Sequence, residues 1–134
     1  MLFRSWGGEL AADAILVPEA WRARASYTHL VAKDEITGAK LLQRPRHKGA
    51  FSVFYTGVPK LEVEARVTMV SSKNDFGPVK LAPYAKFDLF ADYKLTYALT
   101  LFGRIENLGG TRYEETFNYQ VAGRSFFAGI KGTW

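Results

Sequence analysis

Two histidines, His29 and His47, and a scatter of carboxylates are the side chains with which this chain could do metal or acid–base chemistry. Cysteine is absent, so thiolate metal sites, disulfides and cysteine nucleophiles are excluded. The two imidazoles have neither the spacing nor the companion ligands of a zinc site, and they are read as rim residues near strand ends. Glu62, Glu64, Arg66, Asp88, Asp92, Arg104 and Glu106 invite an acid–base reading. They all fall on one period-2 polar face, however, and are better read as a solvated, ion-paired wall. Gly103, Gly109, Gly110 and Gly123 do not open a helix, as a phosphate-binding loop requires, and read as turn residues. Asp13, Asp34, Glu35 and Asp75 lack the twelve-residue calcium pattern. No catalytic residue, cofactor or metal ligand is assigned.

The elements that hold these residues are legible from composition and period. Among 134 residues, 15% are aromatic and 23% charged, and the two kinds are mixed rather than blocked, which suits alternation within strands. The formal charge is +5, but the Lys and Arg residues are interspersed with acids and form no stripe, so a nucleic-acid partner is not expected. No apolar run approaches the length of a transmembrane helix, which leaves a membrane β-barrel open. The first eight residues lack the apolar stretch of a secretion signal.

About seven segments alternate apolar and polar residues. The first, weak, covers 9–16, with Leu10, Ala12, Ala14 and Leu16 against Glu9 and Asp13. The second sets Trp21, Ala23, Ala25 and Tyr27 against Arg22, Arg24, Ser26 and Thr28. The third sets Gly49, Phe51, Val53 and Tyr55 against Lys48, Ala50, Ser52 and Phe54. The fourth is the clearest: Leu61, Val63, Ala65, Val67 and Met69 alternate with Glu62, Glu64, Arg66 and Thr68. Phe87, Leu89, Ala91 and Tyr93 mark the fifth, Tyr97, Leu99, Leu101 and Ile105 the sixth, and Phe126, Ala128, Ile130, Gly132 and Trp134 the last.

Three features favour a membrane barrel over a soluble sheet. Segments of about 9 to 11 residues match tilted spanning strands, whereas soluble strands usually stop at about 5 or 6. Tight turns near Pro18, 57–59 and 94–96 alternate with long connections at 32–44, 71–83 and 108–123, the asymmetry of short periplasmic turns and long outer loops. Trp21, Tyr55, Tyr93, Tyr97 and Trp134 all sit beside the tight turns or the chain end, on the apolar side. That one level reads as a periplasmic aromatic girdle, where rings are buried while their polar edges stay wet.

The stretch 103–134 resembles the closing strands and last loop of TonB-dependent receptors, most of all the vitamin B12 transporter type. The matching positions are Arg104, the Asn107-Leu108 strand exit, Tyr113-Glu114, Tyr119, the Gly123-Arg124 step, and a last strand ending in an aromatic. Residues near Arg44, Pro45 and His47 resemble the start of an earlier barrel strand.

The resemblance implies an all-β fold, an antiparallel up-and-down meander of about seven long strands within a barrel of about 22. Residues 1–134 are then the C-terminal part of the receptor barrel, without its plug domain, and Met1 is an accidental start in a longer frame. It implies a Gram-negative outer-membrane transporter, not an enzyme, for a scarce ligand such as a corrinoid or an iron–siderophore chelate. Its partners would be outer-membrane lipid, the TonB complex acting on the missing plug, and the barrel-assembly machinery, which would meet the last strand at Phe126, Ile130 and Trp134. A passive porin or an adhesive or anchoring barrel fits the strand pattern equally, and a soluble lipocalin-like barrel would need its apolar face turned inward. In the membrane reading, odd-numbered side chains touch acyl chains and even-numbered neighbours line a wet interior.

Overall fold

The computed structural model describes residues 2–134. Met1, with its reading as an accidental start, lies outside them. Long strands form where the alternation is longest: β1 (Phe3–Val17), β2 (Trp21–Asp34), β3 (His47–Tyr55) and β4 (Leu61–Val70). Two short strands, β5 (Lys73–Asn74) and β6 (Lys80–Leu81), pair within the next connection. Then come β7 (Tyr84–Lys94) and β8 (Leu99–Glu106), a second short pair β9 (Glu114–Thr116) and β10 (Tyr119–Gln120), and β11 (Ser125–Gly132).

The seven long strands make one antiparallel sheet in the order β1-β2-β3-β4-β7-β8-β11, each pairing with the next, which is the expected meander. Its register keeps every apolar set on one face. Trp21 opposes Tyr55, Ala25 opposes Phe51, Ala65 opposes Leu89, and Leu89 opposes Ile105. In β1 and β11 the same face is carried by even numbers, as Leu10 opposes Tyr27 and Phe126 opposes Ile105. A register shift between Ile15 and Val17 returns β1 to odd parity at its turn, where Val17 opposes Trp21.

Several expected boundaries move. The weak first segment is in fact the longest strand, because pairing along β2 supplies the order that its own Gly- and Ala-rich pattern under-specifies. The connection expected at 32–44 gives its first three residues to β2. Tyr97 lies in the β7–β8 turn and Trp134 beyond the end of β11, and both are fully exposed.

At the tight-turn end, neighbouring turns are tied into a rim. The Thr56 N–H donates to the Ala20 carbonyl (2.8 Å), Lys94 N–H to Lys60 carbonyl (2.8 Å), and Thr133 N–H to Ala98 carbonyl (2.9 Å). Glu19 and Lys60 adopt positive φ there. Close backbone approach is managed at Gly7, where a Cβ would collide with the carbonyl oxygen of His29.

The sheet has no core of its own. Among the described residues only Ala23, Phe54, Val70 and Leu81 are buried hydrophobics, while Leu10 (73% exposed), Phe126 (69%) and Ile130 (66%) lie bare on the apolar face. The polar face is the more crowded, with Ser52, Phe54 and Asp88 buried, as on the concave side of a curved sheet. A lipocalin-like arrangement needs the reverse.

These faces set a mutational contrast. Arginine placed at Val63 or Leu89 should cost about 2 to 4 kcal/mol each if that face meets acyl chains. The loss would appear as a reduced yield of heat-modifiable folded barrel on gel electrophoresis, with Thr100→Arg close to wild type. Ser52→Arg is no neutral control, because Ser52 is buried and its hydroxyl donates to Glu64 Oε1 at 2.8 Å.

Candidate functional site

On the polar face, the period of two places opposite charges within reach both along a strand and across strands. Arg24 Nε meets Asp13 Oδ1 at 2.9 Å, Arg66 Nη2 meets Glu64 Oε1 at 2.7 Å, and Lys131 Nζ meets Asp92 Oδ2 at 2.9 Å. Lys86–Asp88 and Arg104–Glu106 pairs are looser, at 3.7 and 3.6 Å. Aromatic rings on this face, which the alternation alone leaves unexplained, each carry a cation. Arg22 lies 4.4 Å from the Phe54 centroid, Arg66 4.8 Å from Phe90, Arg104 4.5 Å from Phe127, and Lys131 Nζ 5.0 Å from Phe102. Five carboxylates of this wall, Asp13, Glu64, Asp88, Asp92 and Glu106, are thus held by cations, while Glu62 opposes the ion-paired Asp92 across the ladder.

The three long connections meet at Asp75. Its Oδ1 accepts from the Phe76 N–H (2.8 Å) and from Gln43 Nε2 (3.3 Å), and its Oδ2 accepts from the Phe117 N–H (2.6 Å). Gln43 Nε2 also reaches Thr116 Oγ1 at 3.4 Å, and the Gln43 N–H donates to the Asn74 carbonyl at 2.7 Å. One carboxylate therefore joins the β2–β3, β4–β7 and β8–β11 connections. The Phe117 N–H, opposed by burial and helped by Phe76, Gln43 and Lys73, holds the Asp75 carboxyl below the usual carboxylate range. Asp75 has no accessible surface. Sequence reading took it only for a weak calcium hint, since a hydrogen-bonded knot between distant loops leaves no local pattern.

Beside this knot lies a cavity of about 420 Å³ between the upper end of β2, the β2–β3 connection and the β5–β6 hairpin. Lys33, Lys40, Arg44, Arg46, Lys73 and Lys80 line it, and no Asp or Glu does. None of these six takes part in an ion pair among the described residues. Six cations around one concavity, none of them ion-paired and one, Lys73, shared with the field of Asp75, make a site for an anion. The charges look scattered in the sequence because β2 and two connections supply them.

The positions shared with the receptor pattern are joints of the β8–β11 connection. Asn107, buried and at φ 53, donates from Nδ2 to the Thr111 carbonyl (2.8 Å) and accepts the Thr111 N–H (2.9 Å). Its own N–H donates to Asp88 Oδ1 (2.9 Å), and the Leu108 N–H to the Phe87 carbonyl (2.7 Å). Arg124 Nε donates to the Leu108 carbonyl at 2.7 Å. Tyr113 stacks on Tyr84 at 3.9 Å, and burial pushes its phenol up from the usual range. Glu114 accepts the Asn118 N–H, Tyr119 is exposed in β10, and Gly123 precedes β11.

Of the five residues expected to share a level, Trp21 and Tyr55 touch, with centroids 4.7 Å apart, while Tyr93 opposes Leu61, two residues nearer the turn than Val63, the partner of Tyr55. Phe126 and Ile130 face outward from β11. His29 and His47 oppose one another on the apolar face, at its loop end. Among the described residues no group of three or more His, Cys, Asp or Glu converges.

Comparison with known proteins accords with this geometry. The sequence model described as "TonB dependent receptor-like, beta-barrel" matches residues 4–108. The copper transporter OprC superposes with a TM-score of 0.83 at 22% identity, over 98% of this chain and 24% of that one. The ferric enterobactin receptor PfeA of Pseudomonas aeruginosa, in a G324V mutant, gives 0.80 at 19%, over 96% and 22%. The ferric-catecholate import receptor Fiu of E. coli K12 gives 0.74 at 21%, over 97% and 21%. At these identities the likeness establishes a shared fold, and the chain spans about a quarter or less of those structures.

Two outcomes test the joints. Asn107→Ala, which strands the Thr111 N–H and carbonyl, should lower stability by about 1 to 3 kcal/mol in denaturant titration. Asp75→Ala should raise protease cleavage within 35–46 and 111–124 several-fold. Because its folded pKa is depressed, the Asp75 tie contributes stability above the ordinary carboxylate range and loses it only as pH falls through that lower value. Loop cleavage in the wild type should therefore stay flat from neutral to mildly acid pH and rise only in stronger acid.

Proposed function

The chain belongs to the TonB-dependent receptor-like β-barrel family, and from that premise we propose that it supplies wall and surface loops to a Gram-negative outer-membrane receptor that actively imports an anionic metal chelate. The observation that carries the ligand class is the acid-free cavity ringed by Lys33, Lys40, Arg44, Arg46, Lys73 and Lys80. Ferric catecholate complexes carry net negative charge, and one structural relative is named a ferric-catecholate import receptor, another a ferric enterobactin receptor. A corrinoid, the ligand suggested by the resemblance of 103–134, carries little charge and has no use for six cations. The protein acts as a transporter and not an enzyme, so its polar face conducts and holds ligand without covalent chemistry.

In this reading the apolar face meets lipid. Trp21, Tyr55, Tyr93, Tyr97 and Trp134 mark the periplasmic interface, with the last two reaching it from a turn and the chain end. The outer edges of β1 and β11 are unpaired, and unpaired backbone groups in hydrocarbon cost several kcal/mol each. Further strands of the receptor close the barrel there, making this chain its C-terminal part. A plug inside the barrel engages the TonB complex, and β11, with Phe126, Ile130 and Trp134, is the strand presented to the assembly machinery. An anchoring barrel lacks a reason for a cation ring at the loops, whereas a passive porin would use one to select anions.

Reversing charge tests the ligand class. In the full-length receptor, the double substitution Arg44→Glu, Arg46→Glu should weaken binding of a ferric catecholate chelate by about tenfold or more. Cobalamin binding should be absent from both proteins in the same equilibrium assay. Chelate binding that is indifferent to the substitutions, or tight cobalamin binding, would remove the anionic-chelate reading.

A further inference from the structure

His29 on β2 and His47 on β3 face each other directly across the ladder. Their Nδ1 atoms are 3.3 Å apart and their ring centroids 4.8 Å apart. The Tyr27 hydroxyl lies 2.6 Å from the same Nδ1 of His47. The arrangement is made possible by two glycines. Gly49 opposes Tyr27, so the phenol can lean diagonally to His47, and Gly8 opposes His29, so Trp6 leans diagonally onto the His29 ring at 5.7 Å. The His47 backbone is fixed from both sides, its N–H donating to Ser71 Oγ and its carbonyl accepting the Ser71 N–H.

An imidazole nitrogen carries either one hydrogen or one lone pair. In the metal-free cluster the Tyr27 hydroxyl donates to the His47 Nδ1 lone pair, and both imidazoles are open to solvent. With that hydroxyl turned aside, a single cation can take the lone pairs of both facing nitrogens. Two imidazoles bound to one tetrahedral ion at about 2.0 to 2.1 Å per bond place their nitrogens about 3.3 to 3.4 Å apart.

We propose that His29 and His47 form a cross-strand site for a zinc-like, borderline divalent cation. On one side His47 lines a cleft with Tyr27, Gly49 and Met69, which has no charged side chain. His47 also borders the basic cavity, so a cation is held here by coordination and not by the surrounding field. The site lies eight residues along β2 from Trp21 and along β3 from Tyr55, at the opposite end of the apolar face. It does not depend on the ligand class assigned above.

The test is calorimetric titration of the full-length, metal-free protein, folded in detergent, with Zn(II). Wild type should bind one equivalent at this site. His29→Gln and His47→Gln should each weaken that binding at least about tenfold, while Thr100→Arg, near the tight-turn end of β8, leaves it unchanged, with heat-modifiability confirming a folded barrel in every case. A second measurement needs no substitution: Zn(II) should protect His29 and His47 together from diethyl pyrocarbonate, read by mass spectrometry. Identical isotherms for wild type and both histidine variants, or equal modification with and without Zn(II), would overturn the site whatever the receptor imports.

Discussion

An unbroken antiparallel ladder, in register so that every apolar set lands on one face, is the constraint from which the other properties of this sheet follow. A slip of one residue between any two strands would carry a whole strand's charges onto the greasy face. Register is fixed at the tight-turn end, where turns bond to their neighbours, and adjusted once, by the irregularity near Ile15 that lets β1 enter with the opposite parity. The glycines at 7, 8 and 49 matter for the same reason: they permit close backbone approach or diagonal side-chain contacts without disturbing the pairing.

From that ladder come two surfaces with different physics. The apolar one has nothing packed against it within the described residues and suits a hydrocarbon solvent. The polar one balances its own charge, carboxylate against ammonium or guanidinium, and roofs its aromatic rings with cations. At the loops the balance changes: no acid lines the basic cavity, and none of its six cations forms an ion pair among the described residues.

The loops are more ordered than their length suggests. Asp75 acts as a common acceptor for backbone and side-chain donors from three connections, and Asn107 closes the turn that leaves β8. Connections tied in this way hold the cavity's cations at fixed positions, and loosening the tie would be a way to move them.

The sequence by itself determined the strands, their faces and their antiparallel order, because a period of two is a local property that any run of nine residues displays. It also marked the tight-turn level through Trp21, Tyr55 and Tyr93, and the Asn107 joint through resemblance. Only the tertiary structure decided what depends on residues far apart in the chain. The Asp75 knot, the cavity gathered from β2 and two connections, and the facing imidazoles at 29 and 47 are products of register and loop folding. No single segment holds enough of any of them to be read alone. Tyr97 and Trp134 err for the complementary reason: alternation continues past the last paired residue, while a strand ends where its hydrogen bonds do.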